Sequence, residues 1–266
     1  MPRALSKRNL PSISILSGVL PTSRRMEDAS VRVRSYIPAD PDGPFPYLPT
    51  DLTPQDAGDD SGFYAAPRFV THIDDNAINT LRKYYQQVIP RKGRILDFCS
   101  SWISHYPREV VQAASLEELE VLGTGMNERE LEKNPVLTHW AVQDLNQDPE
   151  VRLAGTDDRK LDAATCVVSI DYLTKPVEVL QSIRRRTKSG GKIHLIISNR
   201  CFPTKVVARW LKVDEDERLH MVGDYLWWSG WREIEIQTLV AGSFMHDPLW
   251  VVRAVNETGK AEEARG

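Results

Sequence analysis

The sequence predicts an α/β protein with a mostly parallel β-sheet and helices on both of its faces. Short apolar segments alternate along the chain with segments in which apolar residues recur at helical spacing. Such alternation is typical of repeated strand–helix units, which build parallel sheets. Polar residues follow directly after several apolar segments, for example at Asp97, Asp144 and Asp171. Because the carboxyl ends of parallel strands share one edge of the sheet, these residues are expected to face a common crevice.

Size and composition fit one globular domain. The chain has 266 residues, of which 41% are hydrophobic and 27% are charged, and this is ordinary for a soluble protein with a sizeable core. A formal net charge of -3 provides no basic field, so no nucleic-acid partner is expected. The apolar segments are shorter than the roughly twenty residues that span a bilayer, so no stable membrane insertion is expected. No feature of the sequence indicates an oligomeric state.

The cysteines and histidines indicate neither disulfides nor a metal. Cys99, Cys166 and Cys201 are odd in number and far apart, which is typical of reduced thiols in an intracellular protein. No Cys/His pair has the spacing of zinc ligands, so no metal is expected.

The chain ends are predicted to differ from the middle. Residues 1–60 are expected to form an N-terminal arm, basic and then rich in Pro and Asp, that is partly disordered. Before Glu27 this arm carries Arg and Ser but no acidic residue, the composition of an organelle transit peptide and equally of a disordered basic tail. The expected location is the cytoplasm, with a mitochondrion or plastid as the alternative. Residues 61–257 are assigned to the α/β domain and residues 258–266 to a disordered tail.

The expected elements follow from periodicity and from capping residues. Asp74 or Asp75 can cap a helix that Pro90 ends. Strands are then expected at 94–98, 119–123, 138–143, 161–169, 192–198, 232–240 and 249–255, and helices at 107–116, 128–133, 176–188 and 203–212. The last two strands have no convincing helix between them, so one of them is expected to run antiparallel near an edge of a seven-stranded sheet.

The turn after the first of these strands lacks the features of a phosphate site. Cys99, Ser101 and Ile103 occupy points where a Gly-x-Gly-x-x-Gly sequence would let a pyrophosphate approach the backbone. A dinucleotide is therefore disfavoured, and the sequence of a P-loop is absent. Ser100 and Ser101 could instead donate hydrogen bonds to a carboxylate, while Asp97 could receive an ammonium group or hold the turn itself.

Several segments together resemble a known enzyme family. The order ILDFCSS, VLGTGMN, VQDLN, LDAATCVVSIDYL and a Lys-Ser-Gly-Gly turn before IHLIISNR is similar to that of class I S-adenosylmethionine-dependent methyltransferases, over roughly residues 62 to 255. The resemblance implies a Rossmann-like three-layer sandwich that binds S-adenosyl-L-methionine at its strand ends. The chain departs from the family at the glycines of the first motif, and Gly125 stands where the family commonly has the acid that holds the ribose diol. Either Asn127 takes that role, or cofactor affinity is weak or absent.

The resemblance assigns the polar strand ends to parts of the cofactor. The first strand end would hold the methionine part, the second would bind the ribose through Asn127, and the third would read adenine through Asp144 with Leu145 against the ring. The expected cofactor-binding residues are Asp97, Ser100, Ser101, Asn127, Asp144, Leu145, Asp171 and Tyr172.

Candidate residues for the methyl acceptor lie in three further segments. Tyr64 belongs to a segment that could form a lid over the cofactor or a hydrophobic anchor. His105 could be a base or a surface histidine, and Asn199 and Arg200 could orient a polar substrate or pair with an acid. The segment RLHMVGDYLWWSGW would form a wall of the substrate pocket or pack in the core. Within it, His220 and Tyr225 are the expected catalytic residues.

The predicted function is S-adenosylmethionine-dependent methyl transfer to a small, partly apolar molecule. The alternative is a catalytically silent protein on the same scaffold that binds a cofactor or another protein. The replaced glycines favour the silent protein, whereas polar residues at every strand end favour the enzyme.

Overall fold

The computed structural model of the chain describes residues 32–153 and 158–257. Within these ranges eight strands form one sheet in the order β1-β7-β8-β6-β5-β2-β3-β4. The strands are β1 (Val33–Ser35), β2 (Gly93–Phe98), β3 (Leu119–Gly125), β4 (His139–Val142), β5 (Leu161–Val167), β6 (Thr187–Ile197), β7 (Arg232–Val240) and β8 (Leu249–Val255). The helices are α1 (Asp60–Tyr64), α2 (Asp75–Val88), α3 (Arg108–Ser115), α4 (Glu128–Lys133), α5 (Pro176–Arg186) and α6 (Glu215–Trp228).

Strand β2 is the centre of the parallel part of the sheet. It pairs in parallel with β3 on one side and with β5 on the other, and β4 and β6 extend the sheet outward in parallel. Strand β8 runs antiparallel to both β6 and β7, and β1 runs antiparallel to β7. The predicted Rossmann-like fold with a mostly parallel sheet and an antiparallel strand near one edge is thus confirmed, with eight strands instead of seven. Because chain connections leave β2 and β5 in opposite directions, a crevice forms at their carboxyl ends.

Side chains that alternate along β2 serve the two faces of the sheet. Ile95 packs in a core with the apolar faces of α2 and α3, whereas Leu96 packs in a second core with α5 and α6. This is the two-residue period of a strand buried on both sides. On the first face α2 begins where the Asp74 carboxylate accepts a hydrogen bond from the Ala77 N–H at 2.7 Å, as its sequence predicts.

The N-terminal segment is more ordered than its composition indicates. Residues 32–60 lie within the predicted arm, yet β1 adds a strand to the sheet and Tyr36 and Leu52 are buried. The hydroxyls of Tyr36 and Tyr47 both donate to the carboxylate of Asp224 on α6. Pro- and Asp-rich composition does predict extended backbone here, but a few aromatic side chains are enough to dock that backbone. The rest of the predicted arm, residues 1–31, and the predicted tail, 258–266, lie outside the described residues.

The indole groups of α6 hold the same segment. Trp227 Nε1 donates to the Pro41 carbonyl and Trp228 Nε1 to the Gly43 carbonyl, both at 3.1 Å. The tryptophans of α6, which the sequence assigned either to a substrate-pocket wall or to the core, therefore contact the N-terminal segment of their own chain.

Two expected elements differ from the structure. Instead of a helix at 203–212 there is a single 3₁₀ turn at Ala208–Leu211. The α-helix of this part of the chain is α6, which begins after Asp214, whose carboxylate accepts a hydrogen bond from the Glu217 N–H at 2.9 Å. The Lys-Ser-Gly-Gly turn lies within β6 as an irregularity opposite Leu161 and Ala163, with Gly190 at a φ of 78°. Within the described ranges no helix is both long and apolar enough to cross a membrane.

Candidate cofactor and substrate cavity

A cavity of about 570 Å³ lies at the carboxyl ends of the central strands. It is within the size range of small-molecule sites, roughly 300–1,000 Å³. Among the expected site residues, those that line it are Tyr64, Asp97, Ser100, Ser101, His105, Asn127, Asp144, Leu145, Tyr172 and Arg200. The structure thus brings together residues from the ends of β2, β3, β4 and β5 with a segment from before α2.

Asp97 organises the turn that follows β2. Its side chain is 3% exposed, and its Oδ2 accepts hydrogen bonds from the hydroxyls of Ser100 and Ser104, both at 2.6 Å. The hydroxyl of Thr165, from β5, donates to Oδ1 at 3.2 Å. Burial raises the pKa of Asp97 to about 6, although the three hydroxyls act in the opposite direction. Asp97 therefore holds the turn, which is one of the two roles that the sequence left open for it.

The turn has a glycine-like backbone without containing glycine. Cys99 and His105 lie in the left-handed region, with φ of 52° and 57°, and Val168 after β5 has a φ of 44°. All three line the cavity. Such conformations cost roughly 1–3 kcal/mol each in residues with a side chain. The other non-glycine residues with positive φ in the described ranges, Glu117 and Glu233, lie outside the cavity lining.

Gly125 lies in a backbone contact that leaves no room for a side chain. A Cβ atom at this position would lie 2.2 Å from the carbonyl oxygen of Ser100, because the Ser100 N–H is bonded to the Thr124 carbonyl at 2.8 Å. The turn after β2 and the end of β3 are therefore in direct backbone contact. No side chain, acidic or otherwise, fits at residue 125 without movement of that contact.

Asn127 uses its side chain for internal contacts. Its Oδ1 caps α4 by accepting from the Glu130 N–H at 3.2 Å, and its Nδ2 donates to the carbonyls of Tyr64 and Ala65. A ribose-binding role for Asn127 would require one of these bonds to break. One turn further along α4, Glu130 lines the same cavity, and burial raises the pKa of its carboxyl group. The sequence alone did not point to Glu130, because the face of α4 that is turned toward the cavity depends on how this helix packs in the fold.

The end of β4 is shaped by a short turn. Asp144 Oδ1 accepts from the Asn146 N–H at 2.9 Å, and Leu145 is buried at the cavity wall. Asn146, which was not among the expected residues, donates from Nδ2 to the Asp60 carboxylate at 3.2 Å and to the Tyr172 carbonyl at 3.0 Å. This side chain connects the ends of β4 and β5 to α1.

Residues 60–74, which we call the capping segment, form the outer side of the cavity. Lys205, with a side chain 3% exposed, bonds the Asp60 carboxylate at 2.8 Å and that of Asp56 at 2.9 Å. Further along, Trp102 Nε1 donates to the Val70 carbonyl at 3.0 Å. The segment is thus fastened both to the chain after β6 and to the turn after β2.

Two histidines face the cavity. His105 is 7% exposed, and within the described ranges its Nδ1 has no hydrogen-bond partner. Burial lowers its pKa to about 4, so its imidazole is neutral near pH 7. His72 of the capping segment also lines the cavity, and burial lowers its pKa as well. A neutral imidazole can accept a hydrogen bond or a proton from a ligand.

The expected catalytic residues lie elsewhere. Tyr225 is completely buried in the core, where it contacts the rings of Phe45 and Tyr47. His220 pairs with Asp216 one helical turn earlier and packs against Tyr36. Neither residue lines the cavity. Both lie on α6, which stands against the N-terminal segment and not at the strand ends.

The remaining expected residues divide between the cavity and its surroundings. Asn199 is exposed and outside the cavity lining, whereas Arg200 lines it but pairs with Asp247, its Nε lying 2.9 Å from Oδ1. Asp171 is buried behind the lining, while Tyr172 reaches the cavity and accepts the Phe202 N–H at 2.8 Å. Within the described ranges no cluster of His, Cys, Asp and Glu is arranged to hold a metal ion.

Comparison with known proteins gives matches in structure only. No protein-family model matches the chain, and no curated protein matches it by sequence. A phosphoethanolamine N-methyltransferase 2 of Haemonchus contortus, solved with S-adenosyl-L-methionine, is 13% identical with a TM-score of 0.43, and the match covers 66% of this chain and 52% of that one. A SAM-dependent methyltransferase of Thermotoga maritima is 17% identical with a TM-score of 0.45, covering 68% and 89%. A TehB-like methyltransferase of Corynebacterium glutamicum is 14% identical with a TM-score of 0.42, covering 66% and 86%. This chain spans 52% of the H. contortus enzyme and likewise 52% of a CurJ carbon methyltransferase.

The contact at Gly125 can be tested by adding one methyl group. We expect Gly125→Ala to lower the free energy of unfolding by about 1–3 kcal/mol, because the new Cβ forces apart two backbone segments that cannot yield separately. Gly62→Ala is the matched control, since a Cβ there has nothing within 4 Å. Urea unfolding of both variants measures the difference, and equal stabilities would refute the steric role of Gly125.

A second test concerns the buried carboxyl group of Asp171. Its Oδ2 has no hydrogen-bond partner within the described ranges, and burial raises its pKa to about 8. Because an exposed Asp has a pKa of about 4, the folded protein holds this proton more tightly than the unfolded chain does. The stability from this group is complete below about pH 4 and is lost as the pH rises through about 8.

Replacement by Asn removes the charge and keeps the shape. Relative to the wild type, we expect Asp171→Asn to gain about 1 kcal/mol or more in unfolding free energy between pH 5 and pH 9. Urea unfolding at the two pH values checks this, and a stability difference that does not change with pH would contradict it.

Proposed function

We propose that this protein is an S-adenosylmethionine-dependent methyltransferase that acts on a small, partly apolar molecule. The observation that carries the proposal is a set of carboxyl groups at the carboxyl ends of the central strands, where an open α/β sheet binds its ligand. Asp97, Glu130 and Asp144 line this half of the cavity, and no phosphate-binding glycine loop accompanies them. A ligand with a sulfonium and an ammonium group suits these surroundings, whereas a pyrophosphate does not.

The residues present fit the parts of that cofactor. The turn fixed by Asp97 offers the amino-acid part the Ser100 hydroxyl oxygen as an acceptor, because the proton of that hydroxyl is donated to Asp97, together with the backbone around Ser101. Glu130 supplies the carboxylate for the ribose hydroxyls that neither Gly125 nor Asn127 can supply. Asp144 and Leu145 supply an acceptor and an apolar wall for the adenine.

The other charges at the cavity largely cancel in pairs. Asp60 is bonded to Lys205, and Asp247 to Arg200. This leaves the excess of negative charge on the side assigned to the cofactor, which supports a cationic ligand there.

The chain's own part in the chemistry is to position the acceptor, with neutral imidazoles that accept hydrogen bonds from it. When bound, S-adenosylmethionine supplies an electrophilic methyl group, so the protein needs mainly to hold a nucleophilic atom in line with it. His105 and His72 replace His220 and Tyr225 as the proposed contacts to that atom, because their neutral rings face the cavity. The capping segment closes the cavity's outer side and limits the access of water.

The silent scaffold remains the second candidate, and one observation favours it. The side chains of Asp97 and Asn127 are both engaged in bonds within the protein, as they would be in a cavity that has lost its ligand. The production of S-adenosylhomocysteine with any acceptor discriminates between the two candidates.

Calorimetric titration with S-adenosylmethionine and S-adenosylhomocysteine tests the proposal directly. We expect micromolar binding, about -8 kcal/mol. An absence of binding at millimolar concentrations of both compounds would contradict the proposed function and direct the search to protein partners.

The assignment of Glu130 has its own test. Glu130→Gln keeps an oxygen that can accept the Arg68 N–H but removes the charge, and we expect it to weaken S-adenosylhomocysteine binding about tenfold, since hydroxyls donate more strongly to a carboxylate than to an amide. Glu128→Gln, at an exposed position in the same helical turn, is the control and should bind like the wild type. If both variants bind equally well, Glu130 does not hold the ribose.

The assignment of Asp144 to the adenine is tested by the same titration. We expect Asp144→Ala to bind S-adenosylhomocysteine severalfold more weakly than the wild type, because the variant loses the acceptor for the adenine. Unchanged affinity would remove Asp144 from the adenine site.

A further inference from the structure

Arg68 is a cationic residue of the cavity whose guanidinium is held by aromatic rings. It belongs to the capping segment and lines the cavity. Its Cζ lies 4.3 Å from the centroid of the Phe63 ring and 5.6 Å from that of Phe202. Its backbone N–H donates to Glu130 at 2.6 Å, so the main chain is fixed as well. The side chain is therefore positioned before any ligand arrives.

The N–H donors of this guanidinium are not used by any described residue of the chain. In the ranges 32–153 and 158–257 no hydrogen bond or ion pair is formed by the Arg68 side chain. In contrast, Arg200 and Lys205, the neighbouring cations, are each bonded to carboxylates. A guanidinium that lies over an aromatic ring keeps its in-plane N–H groups free, and two of them match the two oxygens of a carboxylate.

Arg68 stands at the border of the half assigned to the cofactor: its backbone N–H is bonded to Glu130, whereas its guanidinium lies over the rings of Phe63 and Phe202. Phe202 follows β6, and its N–H is bonded to the Tyr172 hydroxyl at the end of β5. The cofactor half instead lies over the ends of β2, β3 and β4. The Phe202 ring lies next to both the Arg68 guanidinium and the Tyr172 ring, and Tyr64 and His72 line the same cavity.

We propose that the second ligand of the cavity, the methyl acceptor, carries an anionic group, and that Arg68 binds it while the aromatic rings contact an apolar or aromatic body. The inference rests on the proposed function, which supplies the cofactor for the other half. The acceptor class is thus a small aromatic or apolar carboxylic acid. Arg68 gives the cavity specificity for an anion, and His105 and His72 remain available to the reacting atom.

The test uses benzoate as the probe and benzamide as its neutral isostere. Each is titrated calorimetrically into the full-length protein, with and without saturating S-adenosylhomocysteine. We expect benzoate to bind at least tenfold more tightly than benzamide. Arg68→Gln should remove this preference, and Arg68→Lys should retain part of it. Arg129→Gln, which makes the same charge change at an exposed position of α4, should bind like the wild type.

The titrations also separate the acceptor's anion from the carboxylate of the cofactor. Arg68→Gln should bind S-adenosylhomocysteine with unchanged affinity, which also shows that the variant is folded. If this variant instead binds S-adenosylhomocysteine weakly but its decarboxylated analogue normally, Arg68 holds the cofactor and the inference is overturned.

Two further results would be decisive. If benzoate does not bind the wild type in the presence of S-adenosylhomocysteine, the inference fails, whether or not inorganic phosphate binds. If S-adenosylhomocysteine itself does not bind, the proposed function fails. In that case, the titrations of the cofactor-free protein with benzoate and benzamide show separately whether Arg68 forms an anion site.

Discussion

The buried carboxyl group of Asp97 is the constraint on which the candidate site depends. Three hydroxyls, from Ser100, Ser104 and Thr165, point at it, and they join the turn after β2 to β5. Because the turn is fixed in this way, its left-handed residues are held in place and the carbonyl of Ser100 is pressed against Gly125. The same network therefore sets the shape of the cavity floor and decides which residue can stand at the end of β3.

The second constraint is the attachment of the N-terminal segment to the rest of the fold. Aromatic side chains and Asp224 hold its first part on α6, and Lys205 holds its end next to the strand ends. Without this attachment the carboxyl ends of the strands would form an open groove, whereas with it they form a cavity. The aromatic residues of α6 thus contribute to the site from a distance, through the segment that they anchor.

Negative and positive groups lie toward different ends of the cavity. Asp97 and Asp144, which form no ion pair in the described part of the chain, lie toward β2 and β4. Glu130 lies next to Arg68, whose backbone N–H it accepts, and the Arg68 guanidinium is turned toward Phe202, after β6. Pairs such as Asp60 with Lys205 fasten the structure and add little net charge. A cavity divided in this way suits two different ligands, one cationic and one anionic, side by side.

The sequence by itself determined the fold class and the order of strands and helices along the chain. It also determined which strands end in polar residues at the shared edge of the sheet. These follow from local periodicity and from the rule that parallel strands share one edge, as Asp97 and Asp144 illustrate. Only the tertiary structure decided which polar groups are free. Asn127 proved to be engaged with Tyr64 and Ala65, while Glu130 and Arg68, which carry no motif, reached the cavity through the packing of α4 and the capping segment. For the same reason His220 and Tyr225 lie on α6, outside the cavity lining. Whether a side chain faces a cavity depends on contacts between residues far apart in the chain, and no local pattern records them.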